Sequence, residues 1–524
     1  MDHQEFFKRF GLGSYVCADS RLPMPEVKHD MAILKRSGFN LANLQVGWIA
    51  AEPLESRYDF NRSQELIEEA ARLDLAVCVS LDFEPAPGAL EDQQRYLTRL
   101  VETLGKYENV VAWNMRQAAN SLLDQAEAIR AADPLQRPIL AQQSGFAPAR
   151  AQDFLAAACY PAQAPFHPWD DAAPRAGQPA ERAATLLNEA AGVALTFDTI
   201  RSCNPPGAPL WAAEFQGGPV NGFLHLGRTP ESADIRRWML GAAASGVTAI
   251  SFRASGGEGK TGEPSGTSLL DSTGVSTPRL REAARVGAAL QRHADLFAAA
   301  SWGGAEVGIL VDAGNALVCA APPPAGEHLA YSTRGWHRLL WELGVPLDFV
   351  NADQVSEESA RQYKMLILPF PISLPEEIAQ KLGAYVYAGG GLVSEVVPGR
   401  LDEHGVPRRG EISPIFANLF GVSKMGLSVV GESGSLVCCT SRERGWGEFL
   451  EPATLQGDGP LEGYRLPASL FLQTYECQGS QPVLKYNSRA AGAFRGGRLG
   501  WGWLLGTCVG HSALAHPSPG TLEV

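Results

Sequence analysis

The chain of 524 residues has no apolar run long enough to cross a bilayer, since nowhere do about 18 hydrophobic residues follow one another. It also lacks a basic surplus. Acidic side chains outnumber basic ones, 57 to 44, and the formal charge of −13 supplies no footprint for a phosphate backbone, so no nucleic-acid partner is expected. The nine cysteines form no C-x-x-C pair, which argues against a zinc ribbon or a redox motif, and the adjacent Cys438 and Cys439 read as buried thiols. Cys78 and Cys159 lie in apolar runs, where a thiol behaves as a small hydrophobe. The opening "MDHQEFFKRFGLG" lacks the apolar stretch of a secretory signal, and a cytoplasmic, reducing setting is expected. No metal and no cofactor is expected. The triple glycine Gly389–Gly391 follows a helix and precedes a strand, whereas a phosphate cradle lies between a strand and the start of its helix.

What is present is an ordinary globular composition, 45% hydrophobic and 19% charged, in a chain too long for a single core. From about residue 10 to 300, short apolar runs alternate with amphipathic helical stretches. "GLGSYVCAD", "FNLANLQVGW", "LAVCVSLDF", "NVVAWNM", "RPILAQQ", "FLAAACYP", "PLWAAEF" and "VTAISFRA" are strand candidates, with helices between them, among these residues 181–202 and 231–245. Asn61 and Gln64 are placed as a capping box. Repeated strand–helix units of this number and length predict a (β/α)8 TIM barrel over residues 1–303, with an open doubly wound sheet as the alternative.

A second α/β domain, of the flavodoxin or amidotransferase-like kind, is expected over 304–524. "AEVGILVDA", "VPLDFVN", "YKMLILPFP" and "GLVSEV" are its strands; the helix after "SLPEE" takes Ser373 as N-cap, Glu376 at N3 and Gly389 at C′. It lacks a G-x-C-x-G nucleophile elbow, so amidotransferase chemistry is not expected. Its last hundred residues are Gly-rich and weakly periodic, apart from a hairpin predicted at "GAFRGGRLGWGWLLGT".

Barrel enzymes place their catalytic groups at the C-terminal ends of the strands, so the polar residues there are the candidates. Glu214 is the sharpest of them. It ends the apolar "PLWAA" and is followed at once by polar "FQGGPVNG", a placement that suits a nucleophile or base. The alternative is a structural carboxylate paired with Arg253, which ends the eighth strand. Tyr160 follows the sixth strand, and Trp48 and Glu52 follow the second. Trp48 either lines the pocket or belongs to the core.

Several of these segments together resemble glycoside hydrolase family 42, the β-galactosidases. "WIAAEPLESRYDF" is similar to that family's W-x-x-x-E-P-x-x-G-x-Y-x-F stretch, with Ser56 where glycine is usual. "EFQGGPVNGF" resembles its nucleophile segment, with Asn221 seven residues after Glu214, although Gly222 and Phe223 depart from the usual tryptophan. "GVTAISFRASG" resembles its eighth-strand segment, and the region from 304 its trimerisation domain. The resemblance implies a retaining β-glycosidase acting on an oligosaccharide or other β-glycoside, without cofactor, assembled as a homotrimer. Its two carboxyl groups stand about 5–5.5 Å apart, one attacking the anomeric carbon and the other serving as acid and then base.

Glu214 is the implied nucleophile. The implied acid/base closes an Asn-Glu pair after the fourth strand, but in "WNMRQAAN" that pair aligns with Gln117 and Ala118, so the acid is missing. Three explanations stay open: a Glu→Ala replacement at 118, a catalytically dead carbohydrate-binding pseudoenzyme, or a substitute acid at Asp82 or Glu84. Gln117, Trp48, Tyr160, Asn221 and Arg253 are the substrate-binding candidates that the resemblance implies.

Overall fold

The computed structural model describes residues 3–18, 23–52, 57–82, 90–116, 122–143, 153–163, 179–218, 221–222, 225–226, 229–253, 268–271, 274–299, 303–320, 325–396, 398–408, 412–430, 448–450, 453–497, 500–515 and 519–524. The chain divides into two compact units, Met1–Trp302 and Gly303–Val524.

The first unit holds eight principal strands, β1 (Gly11–Cys17), β2 (Leu41–Gly47), β3 (Ala76–Asp82), β4 (Val110–Arg116), β5 (Ile139–Gln143), β6 (Phe154–Cys159), β7 (Trp211–Phe215) and β8 (Ala249–Phe252). Each pairs in parallel with its neighbour. β1 also pairs with β8, Gly11 opposite Ala249, so the sheet closes and the open-sheet alternative is excluded. Closure brings strands close together at glycine: a Cβ on Gly11 would stand 2.7 Å from that of Ala249. Side chains alternate between two layers. Outward-facing Leu12, Val16, Leu44, Val79, Trp113, Ala212 and Ile250 pack with the surrounding helices into the main core. Inward-facing Leu41, Ala76, Cys78, Ala112, Leu140, Phe154, Ala156 and Trp211 form an apolar floor with Phe6 of the N-terminal helix. Phe7 stacks on Trp211 with ring centres 5.3 Å apart. Above that floor the inward positions turn polar.

The second unit is a mixed sheet built from β9 (Val307–Val311), β10 (Leu347–Asn351), β11 (Met365–Leu368), β12 (Gly391–Ser394), β13 (Val422–Val430), β14 (Glu448–Leu450), β15 (Thr454–Gly457), β16 (Arg465–Pro467), β17 (Phe471–Cys477), β18 (Gln481–Tyr486), β19 (Arg489–Gly496) and β20 (Trp501–Leu505). β10, β9, β11, β12 and β20 are parallel in that spatial order, and β19, β17, β13 and β14 continue the sheet beyond β20. The hairpin expected near the C-terminus is β19–β20, with Phe494 opposite Trp503. The surrounding Gly-rich region carries more regular structure than its weak periodicity suggests, because the described residues between 422 and 505 hold eight strands. Register shifts in β13 and β18 break the two-residue period by which a strand is read from sequence.

Two cap assignments are corrected. The helix Asn61–Arg72 has Phe60 at its N-cap, and Gln64 turns to the Tyr107 hydroxyl at 3.4 Å. Ser373 donates to the Asp402 carbonyl at 2.7 Å, while the helix Glu376–Tyr387 begins behind Pro375. Gly389 does follow that helix's cap, at φ 114°.

Candidate active site

The site is built around a phase break in β7. Strict alternation from inward-facing Trp211 would turn Ala213 and Phe215 into the barrel and Glu214 out of it. The pairing shifts instead. Ala157 of β6 lies opposite Ala212, but the next residue, Ala158, lies opposite Glu214, and on the other side Ile250 and Phe252 of β8 face Ala212 and Phe215. Ala213 is therefore an extra residue, a bulge. It joins the apolar floor, Phe215 joins the outer core, and Glu214 takes the inward slot between them.

Glu214 is 3% exposed and its carboxylate is held from three other parts of the barrel. Arg253, just past β8, donates through Nη1 to Oε1. Arg116, at the end of β4, brings Nη2 to 3.6 Å from the same oxygen. Gln142 of β5 donates through Nε2 to Oε2. Behind Gln142 stands Tyr15 of β1, whose hydroxyl donates to Oε1 of the amide at 3.5 Å and whose ring lies 5.6 Å below the Arg116 guanidinium. Burial pushes the Tyr15 phenol above its ordinary range, against the pull of Arg116 and Arg253, so it remains a donor at neutral pH. β1 and β5, or β4 and β7, are not neighbours in the sheet, so these contacts cross the barrel interior.

A second set of bonds supports the bulge. Asn114 of β4 donates to Ser80 of β3 at 2.8 Å, Ser80 donates to Asn43 of β2 at 2.5 Å, and Asn43 donates to the Ala213 carbonyl at 3.2 Å. A carbonyl displaced from ladder pairing by a bulge needs such a partner, because an unpaired buried acceptor costs about 1–3 kcal/mol. Asn114 Oδ1 and Ser251 Oγ are buried without a hydrogen-bond partner among the described residues, which leaves polar capacity in the layer under Glu214.

Of the residues singled out in the sequence, Glu214 and Arg253 come together. Tyr160 directly follows β6, beside the strand that bears Glu214, and is half-buried. Trp48 is 7% exposed; its ring stacks on Tyr96 at 5.4 Å and its Nε1 donates to Glu52, contacts that favour its reading as core. Gln117, Ala118 and Glu84 lie outside the described residues, as do the side chains of Asp82 and Asn221 and the pair Cys438–Cys439. The seven described cysteines are free. Among the described residues no cluster of metal ligands occurs and no helix is long and apolar enough to cross a membrane.

Sequence reasoning missed Gln142, Tyr15 and the role of Arg116. A faint signal existed for two of them: "ILAQQ" and "VVAWNMR" each end an apolar strand on polar side chains, as "PLWAAEF" does. Tyr15, inside "GSYVC", carries no such mark.

The first unit is thus a closed parallel barrel with a buried carboxylate at the C-terminal end of its seventh strand, in a chain that continues into a second sheet-containing unit. Residues 305–459 match the family model of the β-galactosidase trimerisation domain. β-Galactosidase GanA of Bacillus subtilis is 29% identical over 89 residues, a match spanning 17% of this chain and only 13% of that protein. Among solved structures, the β-galactosidase of Rahnella sp. R3 superposes with a TM-score of 0.75 at 16% identity, covering 95% of this chain and 86% of the other. The β-galactosidase of Bacillus circulans sp. alkalophilus gives 0.75 at 13% identity, covering 98% and 89%. In motifs, second-domain family and fold, the chain resembles the β-galactosidases of glycoside hydrolase family 42.

Proposed function

We propose that the chain is a retaining β-glycosidase scaffold in which Glu214 is the nucleophile and position 118 lacks the acid/base. The observation that carries this reading is the bulge at Ala213, which turns an otherwise outward glutamate into the barrel and holds it among Arg116, Gln142 and Arg253. Glu214 attacks the anomeric carbon of a β-glycoside, foremost a β-galactoside as in the proteins it resembles. The bond to the leaving oxygen breaks with its electron pair, and water later releases the sugar. Arg253, Tyr160, Asn221 and Gln117 are assigned to the substrate side of the pocket, while Trp48, stacked on Tyr96, is left to the core. With alanine at 118, proton transfer to the leaving group is lost, a deficit of about 10²–10⁴-fold. Substrates with good leaving groups escape most of it.

The experiment is Ala118→Glu assayed on aryl β-glycosides, with azide added to the unmodified protein as a replacement nucleophile. Recovery of turnover in both supports the reading. Sugar binding without turnover in either sinks it and favours a carbohydrate-binding pseudoenzyme. That second reading draws on one specific observation, that both oxygens of Glu214 are engaged by donors, as in a structural anion. Assembly as a homotrimer is assigned from the trimerisation-domain match and is read by light scattering. A cytoplasmic location accords with the free cysteines.

A further inference from the structure

We infer that Gln142 is the positioning residue of Glu214, selecting which carboxylate oxygen attacks, and that Tyr15 fixes the Gln142 amide in the orientation this needs. The inference rests on the reading of Glu214 as nucleophile. The two oxygens of Glu214 are not equivalent. Oε1 faces two guanidinium groups, Arg253 and Arg116, which draw its electron density and lower its nucleophilicity. Among the described residues Oε2 faces only the neutral Gln142 amide, so it is the oxygen left to bond the anomeric carbon. As the Oε2–carbon bond forms and the leaving group departs with its electron pair, negative charge leaves Oε2 and its bond to Gln142 weakens. The two arginines stay on Oε1, which becomes the ester carbonyl.

An amide can present either its NH2 or its oxygen, and only the NH2 can face a carboxylate. Tyr15 enforces that choice from the far side of the barrel, because its hydroxyl donates to the amide oxygen. Gln142 sits on β5, two strands from Glu214, and reaches it over β6, where the inward residues at that level are only Ala156 and Ala158. Small side chains on the intervening strand are what this reach requires.

The test is the rate at which a dinitrophenyl β-galactoside, fluorinated on the ring carbon next to the anomeric centre, forms a covalent adduct on Glu214. The rate is followed by intact-mass spectrometry and the adduct is located by peptide mapping. This substrate needs no acid, so the alanine at 118 does not mask the result. Gln142→Ala should label roughly 10–100-fold more slowly than the unmodified protein, the scale of loss when a reacting group is misplaced by about an ångström. Tyr15→Phe should show a smaller loss of the same kind.

Gln142→Glu gives the decisive signature. Protonated, the new carboxyl still donates to Oε2; ionised, it repels Glu214. Its labelling should fall as pH rises, by tenfold or more relative to the unmodified protein, with unchanged circular dichroism and melting temperature at each pH. Equal rates for Gln142→Ala and the unmodified protein, or a Gln142→Glu profile parallel to it, overturn this inference and leave the nucleophile reading standing. No adduct on Glu214 in the unmodified protein overturns both.

Discussion

Asp30 is a buried acid whose replacement should stabilise the protein. It lies on the helix Met24–Arg36, on the face shared with Val27, Met31 and Leu34, and is 6% exposed. Among the described residues its side chain has no ion pair and no hydrogen bond. Gly274, at φ 76°, crowds it so closely that a Cβ there would stand 3.0 Å from Oδ1. Burial, with help from Glu26 one turn earlier, raises its pKa from 3.8 to about 6. The folded protein therefore binds this proton more tightly than the unfolded chain does. Well below pH 4 the carboxyl is protonated in both states and costs nothing extra, and at pH 4 itself the cost is still under about 1 kcal/mol. As pH rises to about 6 the unfolded chain ionises first, and folding stability falls by about 1.4 kcal/mol per pH unit, to about 3 kcal/mol at most. Above that the loss is constant. Asp30→Asn keeps the shape and removes the charge, so it should match the unmodified protein near pH 4 and exceed it at pH 7–8. For a unit of this size the difference in melting temperature should be roughly 4–8 °C. Calorimetric scans of both proteins across pH 4–8 test this. A difference that stays flat with pH, or an asparagine variant less stable at pH 8, would refute the assignment of Asp30 as an unpaired, destabilising acid.

Three further substitutions should act in the opposite direction. Glu395, fully buried after β12, accepts from Ser332, from Trp336 Nε1 at 2.8 Å, and from the backbone of Phe370 at 2.9 Å and Gly510 at 2.7 Å; Glu395→Ala strands these donors and should lower the second unit's stability by at least about 3 kcal/mol, seen as an earlier calorimetric transition. Arg137, inside the barrel unit, pairs with Asp133 at 2.6 Å and donates to the carbonyls of Val110, Gly105 and Tyr107; Arg137→Met leaves Asp133 buried without its cation and should cost about 3–5 kcal/mol in urea unfolding. Asn43→Leu removes the donor to the Ala213 carbonyl and should cost about 1–3 kcal/mol while slowing adduct formation at Glu214; a variant with unchanged stability and labelling would show that the bulge does not depend on this bond.

Much of the fold was legible because each barrel strand is a continuous apolar run between amphipathic helices, a pattern few other architectures produce. The second unit was legible only in its parallel half. From Val422 onward the strands carry glycine and bulges, so their two-residue period is repeatedly reset and a sheet reads as loop. The helix starts were misread for a different reason: Ser373 and Asn61 are good capping residues by type, but the Ser373 hydroxyl is taken by the distant Asp402 carbonyl, and Asn61 already lies inside its helix, its backbone N–H donating to the Asp59 carboxylate. In the site, Glu214 and Arg253 were legible as ionisable residues ending apolar strands. Gln142 was marked only faintly and Tyr15 not at all, because an amide and a phenol at strand positions look the same from sequence whether they face the barrel or the helices.

That ambiguity bears most directly on Glu214. Counted from Trp211 in simple alternation, the glutamate faces outward, into the layer occupied by Ala212, Ile250 and Phe252, where an unpaired carboxylate would be strongly disfavoured. One inserted residue resolves the conflict, because a single bulge shifts the phase of everything after it while leaving the strand's pairing on both sides nearly intact. The shift has two requirements: a small side chain at the extra position, met by Ala213 in the apolar floor, and a donor for its carbonyl, met by Asn43 from across the barrel. The same shift leaves Phe215 in the outer core, edge-on to Phe252 at 5.5 Å, which anchors the strand beyond the bulge. The orientation of the carboxylate is thus set by neutral residues of β2 and β7, and its arginines and Gln142 then act on a group already turned inward.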